Sequence, residues 1–156
     1  MDDWKLPWEG GCRCGGIRVA VTKPPLLTGA CHCTGCRKMS ASAYSLTLTL
    51  PADGFEVTKG EPVIGGLKGP VSHHFHCPDC LTWVFTRAEG FDWFINLRAT
   101  MLDDDRWFEP FVELWTREKL AWAATGARHS YETDPPMDRW EPLMKAFAAE
   151  GKRPGR

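Results

Sequence analysis

C-H-C-T-G-C-R-K, residues 31–38, sets three cysteines within six positions and a cationic pair directly behind the last. Thiols this close form a metal site, a redox device or part of a disulfide framework, and the remaining cysteines bear on the choice. The chain has seven, an odd number, so a closed disulfide framework would leave one over. They stand as Cys12 and Cys14, then Cys31, Cys33 and Cys36, then Cys77 and Cys80, and none is isolated. The spacings C-x-C, C-x-C-x-x-C and C-x-x-C are those by which one loop or strand end turns several thiolates toward one ion. A C-x-x-C can also serve thioredoxin-like redox chemistry, but that reading requires a βαβ context. Metal binding is the reading the pattern favours.

The number of thiols suggests how they divide. Four thiolates close a tetrahedral zinc site that stabilises a fold, whereas three protein ligands leave a position for water or substrate. Seven is four plus three. A strand returns its side chains to one face every second residue, so C-x-C at a strand end can aim both thiols at one ion. The compact trio Cys31, Cys33 and Cys36 makes the best independent three-ligand site, leaving Cys12, Cys14, Cys77 and Cys80 for a closed one. Spacing alone leaves open a two-knuckle ribbon in which Cys33 and Cys36 pair with Cys77 and Cys80.

At 156 residues the chain is one domain in size, and 43% hydrophobic residues suffice for a real core. A net charge of −1 gives no broad electrostatic claim on nucleic acid or anionic membrane. No apolar run approaches the roughly 18–20 residues that span a bilayer. The opening M-D-D-W-K-L-P-W-E carries acids where a secretion signal needs a basic region. A cytoplasmic protein with reduced thiols is therefore expected.

The elements read as mainly β. Residues 16–21 (G-I-R-V-A-V) alternate apolar and polar side chains, and 43–50 (A-Y-S-L-T-L-T-L) do so most clearly. After the turn P-A-D-G, residues 55–60 (F-E-V-T-K-G) read as a short returning strand. Residues 71–76 and 81–86 flank C-P-D-C as hairpin arms, and 92–97 and 111–115 add two strands. Only the end looks helical, with Trp140, Leu143, Met144 and Phe147 at i, i+3, i+4 and i+7. The predicted organisation is an N-terminal arm (1–9), a zinc-binding domain (10–135), a C-terminal helix (136–150) and a flexible tail (151–156).

G-G-C-R-C-G-G-I-R (10–18), C-H-C-T-G-C-R-K (31–38) and F-H-C-P-D-C (75–80) together resemble the glutathione-dependent formaldehyde-activating enzyme family, shared with centromere protein V. The likeness continues through 43–50, F-E-V-T-K-G-E (55–61) and W-F-E-P-F-V-E-L-W (107–115), covering roughly residues 10–122. The resemblance implies a β-tent-like zinc fold in a single domain. It also implies that Cys12, Cys14, Cys77 and Cys80 hold a structural zinc, and that Cys31, Cys33 and Cys36 hold a second, open one. Three thiolates put a net −1 on that second ion, which favours exchangeable binding, so a labile site is expected. The implied activity is a carbon–sulfur lyase resembling S-(hydroxymethyl)glutathione synthase, acting on glutathione–aldehyde adducts. The alternatives are a non-catalytic zinc module that binds a small thiol or protein partner, and a chromatin or cytoskeletal binder. Where such proteins commonly carry glycine, this chain has Leu81 after the second knuckle and Ala41 after C-R-K-M-S. Leucine tolerates a left-handed backbone poorly, so a turn of different shape is expected after Cys80.

Arg37 and Lys38 are the expected substrate-binding residues, placed to meet the carboxylates of an anionic thiol such as glutathione. His32, between two ligands, would point away from the ion and serve a surface or hydrogen-bonding role. His73, His74 and His76 fit strand alternation, with proton transfer near pH 7 as the functional alternative. Asp79 reads as a turn residue, and Trp83 and Trp93 as core that also borders a pocket. No residue is singled out as a catalytic acid or base.

Overall fold

A computed structural model describes residues 3–155; residues 1, 2 and 156, the outer ends of the expected arm and tail, lie outside it. The strands β1 (Trp8–Gly11), β2 (Arg18–Val21) and β3 (Leu27–Cys31) lead to a short helix, α1 (Thr34–Ser40). Then come β4 (Ser45–Pro51), β5 (Phe55–Lys59), β6 (Val63–Gly65), β7 (Ser72–His76), β8 (Trp83–Ala88) and β9 (Phe94–Arg98). The chain ends with β10 (Val112–Leu114), β11 (His129–Ser130) and the helix α2 (Trp140–Glu150). The protein is mainly β, as its alternating runs predict.

The strands form a three-stranded sheet, β1-β2-β5, and an eight-stranded sheet ordered β11-β10-β3-β4-β9-β8-β7-β6. Antiparallel pairing dominates the large sheet, but β10 runs parallel to both β3 and β11. The strand at 55–59 does not return along β4. It pairs with β2 in the small sheet, while β4 lies between β3 and β9. A 3-10 turn at Ala52–Gly54 redirects the chain, and Gly54 packs against Lys23 so closely that a Cβ would meet the lysine side chain at 2.6 Å.

Cross-strand pairs give the large sheet two unlike faces. Leu48, Leu50, Ile95, Leu97 and Phe85 project into the main core with Val19 and Val21 of the small sheet. The opposite face is polar. Register aligns Cys31 with Ser45, Thr47 with Arg98, Thr49 with Asn96, Asn96 with Thr86, and Thr86 with His74. Helix α1 and the β6–β7 turn lie over this face, where a Cβ on Gly66 would meet Met39 Cε at 3.1 Å and His74 Cδ2 at 3.2 Å.

Helix α2 follows its predicted stripe. Leu143 and Phe147 are buried in a second cluster with Trp4, Leu27, Phe111 and Val112, and Trp140 and Met144 pack against it. Pro142 falls in the first turn, where its missing N–H costs no helical bond, and Gly151 follows the last residue. Beyond the helix, residues 151–155 lie against the arm: Gly155 N–H donates to the Asp3 carbonyl at 3.1 Å, and Arg153 stacks over Trp4 at 4.9 Å.

Candidate metal centres

The sequence spaces its cysteines in three groups, and the fold gathers them into two. The thiols of Cys12, Cys14, Cys77 and Cys80 lie within 4.8 Å of one another, and so do those of Cys31, Cys33 and Cys36. All seven are free thiols.

The group of four joins two turns. Cys12 and Cys14 follow β1, and Cys77 and Cys80 cap the hairpin between β7 and β8. Backbone N–H groups of Ile17 and Gly16 donate to the Cys12 and Cys14 sulfurs at 3.2 and 3.4 Å; Cys12 is buried and Cys14 exposed. Gly16 lies against the cluster: a Cβ there would sit a tight 3.2 Å from Cys14 Sγ and in ordinary contact, 3.8 Å, with Cys77 Sγ. The Sγ–Sγ distances of 3.6 Å (Cys12–Cys14) and 3.7 Å (Cys14–Cys77) decide the chemistry. A disulfide needs about 2.05 Å. Four sulfurs about 2.3 Å from a central ion are spaced about 3.8 Å apart, the edge of a tetrahedron. The donor set fits a tetrahedral thiolate metal site. Its thiols already diverge in acidity. The Thr82 hydroxyl and backbone bring Cys80 down to about 5, whereas Cys14, despite the Gly16 N–H, is pushed up to about 11 by its sulfur neighbours.

Leu81 has φ +59° and Ala41 has φ +50°, so both occupy the left-handed region. The expected change of shape after Cys80 does not occur. The knuckle bond from Leu81 N–H to the Cys77 carbonyl, at 3.0 Å, holds the turn in the form glycine would take.

The group of three sits where β3 ends and α1 begins. Cys31 closes β3, and Cys33 is the N-cap of α1, its sulfur accepting from Cys36 N–H at 3.3 Å. Helical winding then carries Cys36 back beside Cys33. Contact with Cys31 and Cys36 lowers the Cys33 pKa strongly, and the same contacts with Cys33 and Cys36 raise that of Cys31. One thiolate is favoured and the second is opposed by the first, a conflict that a cation would remove. Cys36 is half-buried and raised on balance: Cys31 lowers it, but Cys33 and burial outweigh that.

His32 is fully buried, not at the surface, and its hydrogen-bonding role is specific. Its Nε2 meets Glu113 Oε2 at 2.8 Å, and Glu113 also accepts from Ser130 (2.7 Å) and Thr125 (2.8 Å). The peptide that carries two thiols is thus anchored to β10, reinforced by His32 N–H to the Leu114 carbonyl at 3.0 Å.

Arg37 turns part of its guanidinium onto its own loop, Nε donating to the His32 carbonyl at 3.2 Å and Nη2 to the Thr34 hydroxyl at 3.3 Å. Lys38 is exposed. His73 meets Glu89 at 3.2 Å, His74 meets Thr86 at 2.8 Å, and His76 Nδ1 meets the His74 carbonyl at 3.1 Å. Trp83 is buried beside His74 with ring centroids 5.3 Å apart, whereas Trp93 is exposed at the far end of β9. Asp79 lies in the knuckle turn. Sequence reasoning passed over Glu113, Ser45 and Arg98, the last packed over Trp83 at 4.1 Å. Their signal is the strand register, which local patterns do not contain.

Fold and site together define a mainly β protein with two thiol clusters, each able to hold a metal ion. A family model described as "Glutathione-dependent formaldehyde-activating enzyme" matches residues 7–118, and the chain belongs to that family. A Penicillium rubens protein named "Putative glutathione-dependent formaldehyde-activating enzyme" is 30% identical over 108 residues, covering 64% of this chain. That match takes in 55% of the Penicillium protein, so the chain spans about half the length of this relative. The crystal structure of a Rhodobacter sphaeroides protein, 16% identical, superposes with a TM-score of 0.50 over 61% of this chain and 87% of that one. This is a likeness of fold. Among the described residues no helix is long and apolar enough to cross a membrane.

Proposed function

We propose that the protein is a zinc-dependent carbon–sulfur lyase that forms and cleaves the adduct of glutathione with formaldehyde or a similar small aldehyde. The observation that carries this reading is the three-thiol cluster at the β3–α1 junction of a chain in this family. In the forward reaction the glutathione sulfur bonds to the aldehyde carbon, and the thiol proton ends on the former carbonyl oxygen. The reverse reaction breaks that carbon–sulfur bond. Cys31, Cys33 and Cys36 would hold the zinc ion, which when bound would favour the thiolate form of a thiol at neutral pH and supply Lewis acidity toward an aldehyde oxygen.

The chain's own residues supply the rest. Cys12, Cys14, Cys77 and Cys80 are assigned to a structural zinc, and Cys31, Cys33 and Cys36 to the second. Arg37, with donors beyond those bound to its loop, and exposed Lys38 meet the carboxylates of the bound thiol. His74 is a proton carrier in this scheme: burial, then the Arg98 charge, hold its pKa below the ordinary value, so it is neutral near pH 7. Its Nδ1 engages Thr86, which leaves Nε2 for substrate.

The addition also proceeds spontaneously, so the test is a rate above background. Exchange between free and hydroxymethylated glutathione should accelerate in proportion to protein and return to the uncatalysed value with Cys33→Ser. An uncatalysed rate in wild type carrying full metal would leave a thiol-binding module and no enzyme. Arg37→Ala should raise the apparent KM for the adduct by an amount corresponding to ~1.5–3 kcal/mol, with zinc content unchanged. A solvated loop cation would instead give only a weak salt dependence.

A further inference from the structure

Arg98 closes β9 on the polar face of the large sheet and is 8% exposed. Arginine is rarely buried without a carboxylate partner. Among the described residues no acid lies within ion-pair distance of it. Its Nη2 donates to the Asn96 carbonyl at a long 3.4 Å, and its Nε is buried with no hydrogen-bond partner. The guanidinium lies over the Trp83 ring at 4.1 Å, which fixes its plane and leaves the Nε donor unpaired. Burial brings Arg98 down to about 10, while the charges of Cys36 and Cys31 pull upward. Thr47, its cross-strand partner, lies two residues along β4 from Ser45, which is paired with Cys31. A fixed cation with an unused donor therefore stands on the same face as the three thiols.

We propose that Arg98, held on Trp83 beside Cys31 and Cys36, is a buried anion-recognition residue that selects thiols carrying a carboxylate for the three-cysteine site. This rests on the reading of the site as one that binds a thiol. It adds an inner charge contact to the outer one assigned to Arg37 and Lys38. A carboxylate brought next to the guanidinium accepts from Nε and completes an ion pair shielded from water. A neutral thiol of the same size leaves Nε as it is now, so selectivity arises from the group left unpaired.

The test compares 3-mercaptopropionate with its neutral isostere 3-mercaptopropionamide, binding to zinc-loaded protein by calorimetry. Wild type should bind the carboxylate about tenfold or more tightly than the amide. Arg98→Met should erase that preference by weakening the carboxylate alone, and Arg98→Lys should keep part of it, with zinc content equal in all three. Wild type that binds both thiols equally overturns the proposal without recourse to any variant. So does a preference that survives Arg98→Met, or a loss that falls equally on both thiols, which would make Arg98 only a counter-charge for the cysteines. If Arg98→Met does not fold, the wild-type preference and the lysine variant decide. Wild type that binds neither thiol contradicts the thiol-site reading itself, an outcome distinct from a failure confined to Arg98.

Discussion

Glu113 holds the trio's backbone in place from 81 positions away in sequence. The residue is 7% exposed, and its carboxylate accepts from His32, Ser130 and Thr125, with Lys119 Nζ at 3.9 Å. Burial alone would raise its pKa, but Ser130, His32, Thr125 and Lys119 together take it below 4.5. A carboxylate whose folded pKa is depressed contributes stability above its unfolded value and loses it as pH falls through the folded one. Glu113→Gln should cost about 1.5–3 kcal/mol at pH 7, since an amide cannot satisfy the same donors in a buried site. The difference from wild type should narrow as melts are taken below about pH 4.5. A difference independent of pH would mean that Glu113 acts through shape and not charge. The cysteines were legible because metal-ligand spacing is local. Glu113 was not: the strand reading of 111–115 gives it no partner, and only the parallel pairing of β10 with β3 brings it to His32.

The elements show which signals a sequence carries. Alternation located β2 and β4 because each has one face in the core, and the stripe of α2 was visible because Leu143 and Phe147 repeat at helical spacing. Helix α1 has seven residues and buries none, so it leaves no apolar period to detect. Its N-cap is a cysteine, whose sulfur takes the place of the usual hydroxyl or carboxylate. The partner of β5 was also hidden, because a turn signal marks where a chain bends and not which sheet it joins. Leu81 is the clearest local conflict, with φ +59° in a residue that is 69% exposed. Its conformation costs energy and its side chain buries little in return. Leu81→Gly should therefore stabilise the fold by about 0.5–1 kcal/mol, read as a higher melting temperature. A lower melting temperature would show that the leucine side chain contributes contacts that outweigh its backbone strain.

At the scale of the molecule the two thiol clusters have different structural reach. The group of four fastens the β1–β2 turn of the small sheet to the β7–β8 hairpin of the large one, whereas the group of three closes a single strand–helix junction. A structural zinc in a small domain is worth on the order of 10–16 kcal/mol in apparent binding free energy. That matches or exceeds the ~5–15 kcal/mol net stability of a typical domain. Cys77→Ser should accordingly unfold the protein, while Cys33→Ser should leave circular dichroism and melting nearly unchanged and remove one metal per chain. Equal thermal losses in the two variants would contradict this division.

The central claim is that seven thiols make one closed and one open zinc site, the open one receiving a thiol. Zinc K-edge X-ray absorption on the fully loaded protein, before and after glutathione is added, reads this most directly. Averaged over two sites, the count should rise from about 3.5 sulfurs per zinc to about 4 as glutathione supplies the missing ligand. A count near 4 without glutathione, or one that glutathione does not change, would contradict the account.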